Sequence, residues 1–380
     1  MRITDDWIAE PGVQSVLAVL AGAGHRALLV GGCVRNALLG APVSDIDIAT
    51  DAPPQRVMDL AAAAGLKAVP TGFDHGTVTV IANHVPHEVT TFRRDVETFG
   101  RHATVAFATR VEDDASRRDF TMNALYAEAD GSVVDPLGGL ADLRARRVRF
   151  VGDADARICE DYLRILRFFR FHAWYGDAAE GLDADGLAAC AEHSAGIETL
   201  SRERVGGEMR KLLAAPDPAP VVAAMQASGV LAHVLPGAEM RALAPLVHLE
   251  AGLAPDAMRR LAVLGGADPA ERLRLSRAEA RRLDLLRGLI GSMAGPAELG
   301  FVHGADLARD ALLARAAVME QPLPQGWQQA VAQGAEATFP VTAADLMPAY
   351  SGPALGARLA EIQARWIASG FTLGRSDLLG

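Results

Sequence analysis

The sequence predicts an α/β head built on a mixed sheet, followed by a remainder made of helices. Short apolar runs separated by turn residues fill residues 1–150, and strand-type patterns stop near residue 155. Amphipathic helical spacing then continues to the end of the chain, with breaks at glycine and proline. The predicted domains are a catalytic head (1–150), a helical neck (151–215) and a helical body and tail (216–380).

The composition is that of a globular protein from a reducing compartment. The 380 residues suffice for two or three domains, and 50% of them are hydrophobic. The three cysteines lie far apart without metal-binding spacing, which predicts neither a disulfide framework nor a zinc site. The acidic N-terminus is unlike a signal peptide, and no apolar run approaches the roughly 20 residues that span a bilayer. We therefore expect a cytoplasmic protein without a membrane anchor. The net charge of −10 argues against a protein whose whole surface is covered by nucleic acid, but it is compatible with one local basic surface.

The first elements are a strand, a glycine turn and a helix. Residues 27–30 (ALLV) are apolar and end on two glycines. The following CVRNALLG has helical spacing, with Gly40 placed as its C-terminal cap. DIDIAT (45–50) predicts the next strand, and two prolines after it mark the start of another helix.

Farther along the head, two alternating segments predict a hairpin. TVTVIAN and HEVTTF have period-two patterns on either side of NHVP. The polar RRDVETFGRHATV (93–105) predicts a loop with Arg93, Asp95 and Arg101 as its polar groups, although ordinary solvated loop residues explain each of them equally well. FTMNALYAEADGSVVDP (120–136) predicts a helix or a strand and then a turn.

Asp45 and Asp47 lie two residues apart in the predicted strand, so both should project from the same face. Two neighbouring carboxylates repel unless a cation lies between them. Carboxylate and phosphate oxygens are the ligands that Mg²⁺ prefers, and two such ions can activate a hydroxyl and stabilise a leaving pyrophosphate. The alternative is a surface turn that carries two solvated acids.

The glycine turn GGCVRN (31–36), some ten residues upstream, predicts a phosphate site. Glycine lets the backbone approach a phosphate, the helix N-terminus supplies free N–H groups, and Arg35 adds a fixed positive charge. The alternative is a tight turn that simply needs glycine. Either motif alone is ambiguous, but at this spacing the two together are not.

Ordered segments of the chain carry a resemblance to a known family. The segments are VGGCVRNALLG, SDIDIAT, RRDFTMNAL (117–125), DPLGGLADL (135–143), EDYLRILRFFRF (160–171) and SRERVGGEMRKLL (201–213). In this order they closely resemble the bacterial class II tRNA nucleotidyltransferases, which are the CCA-adding enzymes and their poly(A) polymerase relatives. The resemblance implies a transferase that adds CCA to the 3′ end of tRNA from CTP and ATP, without a nucleic-acid template and with release of pyrophosphate. It implies Mg²⁺ as cofactor and tRNA, CTP and ATP as partners, and it implies no protein partner.

The resemblance assigns roles to the first two motifs. Gly32 and Arg35 hold the triphosphate, and Asp45 and Asp47 bind the metal ions. Glu88 of HEVTTF is implied as a third carboxylate near the attacking 3′-hydroxyl. The alternative for Glu88 is an ordinary exposed strand residue.

The resemblance also assigns a role to RRDFTMNAL, in which Arg118, Asp119 and Asn123 recognise the ribose and the triphosphate. Polar groups of this kind can bind a 2′-hydroxyl and so favour ribonucleotides. The alternative is a helix start capped by Asp119, with its apolar neighbours packed inward, and both interpretations are compatible.

Residues 160–171 are expected to form one helix with a single polar stripe, consisting of Asp161, Arg164, Arg167 and Arg170. An exposed salt bridge is the simpler explanation, but three arginines at period three lack matching acids. Asp accepts from an exocyclic amine and Arg donates to a ring nitrogen or carbonyl, so Asp161 and Arg164 can read cytosine and adenine. In the resembled family this pair acts as a protein template, and Arg167 and Arg170 contact the nucleotide or hold the pair in place.

Asn36 departs from the family pattern, because an aspartate is more usual after the arginine. The 93–105 segment matches the position of the family's flexible loop, which is linked to the switch from C to A addition and favours a full CCA adder. Poly(A) polymerases carry an extra stretch of the form GRRFRLAHV, which this chain lacks. Poly(A) polymerase and CC-only or A-only tRNA nucleotidyltransferase activities are the alternatives. The presence of the metal-binding acids and the base-reading pair opposes an inactive RNA-binding protein.

Overall fold

The head contains a seven-stranded mixed sheet and a separate two-stranded sheet. The computed structural model describes residues 1–99 and 102–380, and the side chains of residues 95–105 lie outside that description. The strands are β1 (Ala27–Val30), β2 (Asp47–Thr50), β3 (Lys67–Gly72), β4 (Thr77–Ala82), β5 (Val85–Thr91), β6 (Arg93–Phe99), β7 (His102–Phe107), β8 (Tyr126–Ala127) and β9 (Val133–Val134). The large sheet has the order β3-β4-β5-β2-β1-β8-β9, and β6 pairs with β7.

The pairing of β2 with β5 is parallel, whereas the other described pairs of the large sheet are antiparallel. A parallel pair needs a crossover connection, and here the crossover is formed by the helix after β2 and by β3 and β4. The mixed sheet predicted for the head is confirmed.

Local sequence signals located several elements correctly. β1 covers the predicted residues, and Gly40 ends the next helix in the left-handed conformation at φ 66°. β4 and β5 form the predicted hairpin, with Asn83 and His84 at positive φ in its turn. Residues with positive φ at both turn positions match the right-handed twist of the paired strands.

Two expectations for the head are wrong, and one strand was not predicted. The second strand begins at Asp47, so Asp45 precedes the strand and does not share its regular alternation. The predicted loop at 93–105 contains the paired strands β6 and β7, while Arg101 lies outside the described residues. β3 was not predicted, because KAVPTG contains a proline and a glycine and lacks a buried apolar face.

The helices of the first part of the chain are α1 (Pro11–Gly22), α2 (Gly32–Leu39), α3 (Pro54–Ala63), α4 (Val111–Ser116), α5 (Gly139–Arg144), α6 (Ala154–Glu160), α7 (Leu163–Tyr175), α8 (Ala184–Glu192), α9 (Arg202–Leu213), α10 (Ala219–Ala227) and α11 (Val230–Val234). Short 3₁₀ helices cover Asp6–Ala9, Phe73–His75, Thr121–Asn123 and Ser194–Thr199. α3 starts at the predicted proline, which supplies a helical φ and needs no N–H partner.

The helices of the second part are α12 (Leu243–Leu249), α13 (Ala257–Leu264), α14 (Pro269–Arg272), α15 (Arg277–Ile290), α16 (Pro296–His303), α17 (Ala305–Met319), α18 (Trp327–Glu336), α19 (Ala343–Leu346), α20 (Gly352–Ala368) and α21 (Arg375–Leu379). The helical remainder predicted from about residue 155 onward is therefore confirmed. Among the described residues, no helix combines the length and apolar character needed to cross a membrane.

The chain divides into two compact units. One contains residues 1–212 and 224–234, and the other contains residues 213–223 and 235–380. The predicted head and the predicted neck up to residue 212 thus fall within the first unit, while the three-domain division stays a prediction.

Within the first unit, an aromatic cluster joins the RRDF segment to α7. Phe120 packs against Phe150 and Phe171 with ring centroids 5.1 and 5.0 Å away, and Phe168 stacks on Phe150 at 5.4 Å. All four rings are buried. Such aromatic pairs bury large apolar areas and fix relative orientation. The cluster holds the polar residues next to Phe120 against the polar residues of α7.

Candidate functional site

The glycine turn between β1 and α2 has the geometry of a phosphate site. Gly31 caps α2 with φ 74° and ψ −119°, a conformation that favours glycine. A β-carbon at Gly31 would lie 3.4 Å from Nη1 of Arg118. Gly32 opens α2, so an approaching phosphate would meet main-chain N–H groups, the positive end of the helix dipole and a guanidinium.

Arg35 lies in the first turn of α2 and is buried. Its Nη1 donates to Oδ1 of Asn123 at 2.5 Å, and its Nη2 donates to the hydroxyl of Tyr175 at 2.9 Å. The Tyr175 ring centroid lies 4.1 Å from its Cζ. Burial lowers the pKa of the Arg35 guanidinium, which nevertheless remains protonated at neutral pH. Sequence reasoning missed Tyr175, because nothing local signals that the end of α7 meets α2.

Asn36, the departure from the family pattern, orients Arg35. Its Oδ1 accepts from Nε and Nη2 of Arg35 at 3.1 and 2.8 Å, and its Nδ2 donates to the carbonyl of Pro42 at 2.8 Å. A carboxylate could accept from the arginine but could not donate to Pro42. The amide therefore positions the guanidinium without neutralising its charge.

The parallel pairing of β2 and β5 brings two of the predicted acids together. Asp47 and Glu88 are partners in register, so their side chains project from the same face of the sheet. Asp45 precedes β2, is exposed, and accepts a hydrogen bond from Oγ of Ser44 at 3.1 Å. All three acids line one cleft of about 660 Å³.

The carboxylate of Asp47 is destabilised by its surroundings. The protein around it displaces water, and the negative charges of Glu88 and Asp45 add to that effect, so the pKa of Asp47 is raised although the positive charge of Arg118 opposes the shift. A divalent cation in this cleft would relieve the repulsion. The donor set, consisting of carboxylates beside an open cleft, is of the oxygen-only type that hard cations prefer. Within residues 1–99 and 102–380, however, no three candidate ligands are already gathered at metal-binding distances.

Asp114 on α4 is a site residue that sequence reasoning missed. It is 1% exposed and accepts from Nε of Arg117, Nη2 of Arg118 and the hydroxyl of Tyr126 at 2.9, 2.9 and 2.8 Å. Burial opposes ionisation, but the two arginines and the tyrosine outweigh it and lower the pKa of Asp114 to about 2. Arg118 is thereby fixed toward the glycine turn. The i,i+3 and i,i+4 spacing to the two arginines was the available signal.

Asp119 and Asn123 form a polar chain between α2 and α7. Oδ1 of Asp119 accepts from the N–H of Phe120 and from Nδ2 of Asn123, both at 2.9 Å, and Oδ2 accepts from Nε of Arg167 at 2.7 Å. Because Asn123 also accepts from Arg35, the predicted triphosphate and nucleotide residues form one connected network. The helix predicted to start at Asp119 is only a 3₁₀ turn, Thr121–Asn123.

The expectation that residues 160–171 form one helix is wrong. α6 ends at Glu160, Asp161 has extended backbone angles (φ −156°, ψ 102°), and α7 begins at Leu163. Oδ1 of Asp161 accepts from the N–H of Leu163 at 3.1 Å, and Oδ2 accepts from Arg204 at 2.6 Å. Nη1 of Arg164 donates to the carboxylate of Glu160 and, at 2.7 Å, to the carbonyl of Arg157. Asp161 and Arg164 thus lie at the same helix break, and each is engaged by another residue.

The three arginines of α7 do have matching acids, contrary to the sequence-based expectation. Arg164 pairs with Glu160, Arg167 with Asp119, and Arg170 with Glu208, whose Oε2 lies 2.6 Å from Nε of Arg170. Two of these acids are distant in sequence and were not visible from local spacing. Arg167 and Arg170 also lie over the ring of Phe171, at 5.2 and 4.6 Å. The stripe is therefore a network of ion pairs, in which Glu160 is shared with Arg157.

Family models match two parts of the chain. One described as the poly A polymerase head domain matches residues 27–149, and one described as the probable RNA and SrmB-binding site of polymerase A matches residues 182–241. The chain is 32% identical over 386 aligned positions to the mouse protein named CCA tRNA nucleotidyltransferase 1, mitochondrial, an alignment that covers 97% of this chain and 89% of the mouse protein. It is 40% identical over 233 residues to the CCA-adding enzyme of Geobacillus thermodenitrificans, covering 60% of this chain and 56% of that enzyme.

Solved structures show the same architecture. The CCA-adding enzyme of Bacillus stearothermophilus in complex with CTP matches with a TM-score of 0.75 and 27% identity, over 94% of this chain and 92% of that chain. A Thermotoga maritima CCA-adding enzyme in complex with tRNA matches with a TM-score of 0.72 at 18% identity, covering 100% of this chain and 97% of that one, and it supports the fold alone.

Proposed function

Because the chain belongs to the family of CCA-adding tRNA nucleotidyltransferases, we propose that it adds C, C and A in turn to the 3′ end of tRNA, using CTP and ATP and releasing pyrophosphate. The observation that carries the proposal is the 32% identity to the mouse nucleotidyltransferase over nearly the whole length of both chains. Carboxylates and guanidiniums of the kind that such a reaction needs are present in the first unit, where Asp47 pairs in register with Glu88, and Asn123 and Asp114 hold Arg35 and Arg118. The three free thiols suit a reducing compartment, and the proposed location is the cytoplasm.

We propose Mg²⁺ as the cofactor, held by Asp45 and Asp47. Bound there, the ion would polarise the α-phosphate and stabilise the pyrophosphate that leaves. The register pairing of Asp47 with Glu88 and the cleft that all three acids line support this assignment, because clustered carboxylates are the donors that Mg²⁺ prefers. Glu88, opposite Asp47 in the parallel pair, is proposed to hold the attacking 3′-hydroxyl by accepting its proton in a hydrogen bond.

The triphosphate is proposed to bind at the glycine turn. Gly32 offers main-chain N–H donors. Arg35 offers a guanidinium that Asn123 and Asn36 already orient. Arg118 offers another, which Asp114 orients. Asp119 and Asn123 are proposed to recognise the ribose, because their oxygen and amide groups can pair with hydroxyls.

The base-reading role of Asp161 and Arg164 requires an exchange of partners. In the structure Asp161 is bound by Arg204 and Arg164 by Glu160, so a cytosine or adenine edge would have to replace part of each contact. The carboxylate would accept from the exocyclic amine and the guanidinium would donate to the ring acceptor beside it. Arg167 and Arg170 are proposed to support this surface through their pairs with Asp119 and Glu208.

The first test is nucleotide extension of two tRNA transcripts, one that lacks its CCA end and one that already ends in CC. The protein with Mg²⁺ receives CTP alone, ATP alone, or both. Two additions with CTP, followed by one A and a stop once ATP is present, are expected. A stop after CC despite ATP would identify a CC-only enzyme. Addition of A only to tRNA that already ends in CC would identify an A-only enzyme. A long series of A additions would identify a poly(A) polymerase. No extension would contradict the proposal.

The second test assigns the acids of the cleft. Asp47→Asn and Glu88→Gln are expected to lower kcat on the order of a hundredfold or more, because several kcal/mol of transition-state stabilisation are lost. Asp74→Asn, which changes an exposed acid of the same head, is the matched control and should retain activity. Equal activity of all three variants would remove these acids from the mechanism.

A further inference from the structure

The side chain of Arg157 on α6 binds a carboxylate and two main-chain carbonyls at once. The residue is only 7% exposed. Nη2 donates to the carbonyl oxygen of Arg117 and, at 2.9 Å, to that of Arg118, while Nη1 donates to the carboxylate of Glu160. A planar guanidinium serves several acceptors in fixed directions, which the compact ammonium of a lysine does not. Arg157 therefore joins two segments that lie 40 residues apart in the sequence.

One of these segments carries a proposed triphosphate ligand. Arg117 and Arg118 directly follow α4, and the last carbonyls of a helix need partners from elsewhere in the chain. The side chain of Arg118 is bound by Asp114, and its Nη1 lies 3.4 Å from the place that a β-carbon would take at Gly31. Arg157 thus holds the main chain from which this guanidinium reaches the glycine turn.

The other segment carries a proposed base-reading residue. Oε2 of Glu160 accepts from Arg157 and also from Nη1 of Arg164. The same Nη1 donates to the carbonyl oxygen of Arg157 at 2.7 Å. Within the part of the chain that the structure describes, both hydrogen bonds of the Arg164 guanidinium are made at this one nitrogen. Arg157, through its carbonyl and through Glu160, therefore determines where the rest of that guanidinium points.

Little water reaches this group of charges. The side chains of Arg157, Glu160 and Arg164 are 8%, 22% and 15% exposed. Hydrogen bonds between ionised groups are about twice as strong as those between neutral groups, and salt screens partly buried pairs less than exposed ones. Because two guanidiniums share one carboxylate, a replacement of Arg157 also changes the contacts of Arg164.

We propose that Arg157 is a positioning residue for nucleotide selection. It fixes the base-reading guanidinium of Arg164 relative to the segment at Arg117 and Arg118, so that a nucleotide held by its triphosphate meets Arg164 at a set distance. Cytosine and adenine then present a ring acceptor to this guanidinium, whereas uracil presents an N–H donor that cannot pair with another donor. The inference rests on the proposed function, because it requires Arg164 to read the base.

The first measurement is the affinity of the full-length chain with Mg²⁺ for CTP and for UTP, by calorimetric titration without tRNA. The parent should bind CTP at least about tenfold more tightly than UTP, because an unpaired donor costs a hydrogen bond. Arg157→Lys should reduce this preference to about threefold, mainly by weakening CTP binding, because an ammonium cannot reproduce the planar set of contacts. An unchanged preference would overturn the proposal, and so would an equal loss of affinity for both nucleotides, which indicates a general structural role.

The second measurement shows whether Arg157 acts through Arg164. Arg164→Gln should abolish the preference for CTP. Adding Arg157→Lys to Arg164→Gln should then leave the affinity for CTP unchanged, because two residues that act through one contact do not have additive effects. A further loss of CTP affinity in the double variant would overturn the proposal.

The matched control is Arg287→Lys. Arg287 is a partly buried arginine that also donates to a main-chain carbonyl, that of Gly265, but both residues belong to the second unit. Its replacement makes the same chemical change and should leave the preference for CTP at the parent value. A loss of preference as large as that in Arg157→Lys would count against the role of Arg157.

Glu160→Gln breaks the same link at its other end. It keeps the proposal testable if urea unfolding shows that Arg157→Lys does not fold. The preference for CTP should fall to a similar extent, because Arg164 loses the charged partner that it shares with Arg157. Full preference in a folded Glu160→Gln variant would overturn the proposal.

Comparison with tRNA extension separates this inference from the proposed function. If the parent extends tRNA but Arg157→Lys keeps the full preference for CTP, the positioning role fails and the proposed function stands. If the parent does not extend tRNA, yet its preference for CTP is lost in Arg157→Lys, the proposed function fails and the positioning role stands. A parent without any preference for CTP over UTP would overturn the base-reading role and the positioning role with it.

Discussion

At the scale of single residues, Arg35 is a buried charge held by uncharged side chains. Its hydrogen-bond partners among the described side chains are Asn36, Asn123 and Tyr175, all neutral. Removing a charge from water is costly, so burial lowers the pKa of Arg35, although nearby Tyr175 and Asp119 oppose the shift. A bound triphosphate would supply the missing negative charge. The asparagine at position 36, unusual for the resembled family, fits this arrangement.

Tyr175 positions Arg35 and should affect nucleotide binding more than chemistry. Tyr175→Phe removes the acceptor for Nη2 but keeps the ring that lies 4.1 Å from the guanidinium. We expect the KM for CTP to rise about fivefold, the equivalent of one hydrogen bond, with kcat nearly unchanged. Trp174→Phe is the control, because Trp174 donates to the carbonyl of Lys211 and not to the site. An unchanged KM in Tyr175→Phe and in Tyr175→Ala would refute the role.

Asp114 should control the acid stability of the first unit. Its pKa, lowered from 3.8 to about 2, means that the unfolded chain binds this proton more readily than the folded chain. The carboxylate therefore contributes about 2 kcal/mol of stability above pH 4, and this contribution is lost as the pH falls toward 2. In urea unfolding at about pH 6, Asp114→Asn should be less stable than the parent by at least that amount, and the difference should narrow at about pH 3. Asp113→Asn, on the same helix, serves as control. A stability difference between Asp114→Asn and the parent that does not change with pH would contradict the assignment.

At the scale of elements, the break between α6 and α7 is maintained by close packing. The ring of Tyr162 lies so near Gly196 that an added β-carbon would approach its carbons to 2.2–2.4 Å. Gly196 belongs to the 3₁₀ helix Ser194–Thr199, which packs against α7 and α8. The break therefore depends on a glycine some 34 residues away from Tyr162 in the sequence.

Gly196→Ala should disturb this break. The ring of Tyr162 must move to make room, which costs about 1–3 kcal/mol and displaces the neighbouring Asp161. We expect a lower urea midpoint and a raised KM for CTP. Gly207→Ala on α9 is a control of opposite sign, because nothing lies within 4 Å of its added carbon and alanine favours helices by up to about 1 kcal/mol. Similar midpoints for both variants would show that the packing at Gly196 is unimportant.

At the scale of the whole molecule, the second unit has a charged centre. Arg259 and Arg260 are 2% and 1% exposed, and both donate to Glu250, at 2.5 and 2.9 Å. Arg259 also donates to Asp310 at 2.7 Å, and Arg260 donates to the carbonyl of Leu213 at 2.7 Å. The network joins α12, α13 and α17 with the segment at the start of this unit. Its members are satisfied by one another, as buried charges require.

Glu250→Gln should therefore destabilise the second unit strongly. The substitution removes the negative charge that both buried guanidiniums share, and the free energy of unfolding should fall by about 3–5 kcal/mol. Urea unfolding monitored by hydrogen exchange of α13 measures this loss. Glu320→Gln breaks the exposed pair with Arg241 and should change the stability far less, because solvent screens surface ion pairs. Comparable losses of stability in the two variants would mean that the buried network contributes no more to stability than an exposed ion pair.

Sequence reasoning succeeded where a signal is local. The glycine turn, the Gly40 cap, the β4–β5 hairpin and the change from strands to helices were all predicted, because φ preferences and hydrophobic periodicity act within a few residues. It failed for β3 and for the 93–105 segment, where polar residues and turn formers occupy strands that only pairing stabilises. The helix break at Asp161 was hidden because the apolar spacing continues through it.

The sequence by itself determined the family, the ordered motifs and the residue types of the candidate site, since these depend on which side chains follow one another. The tertiary structure alone decided that Glu88 lies opposite Asp47, that Asp119 and Glu208 neutralise Arg167 and Arg170, and that Tyr175 and Asp114 orient the site arginines. Most of these contacts join residues far apart in the chain. They form because the burial of apolar rings such as Phe120 and Phe168 fixes the positions of the elements. Charged side chains that become buried in this packing are stable only if they pair with a group on a neighbouring element.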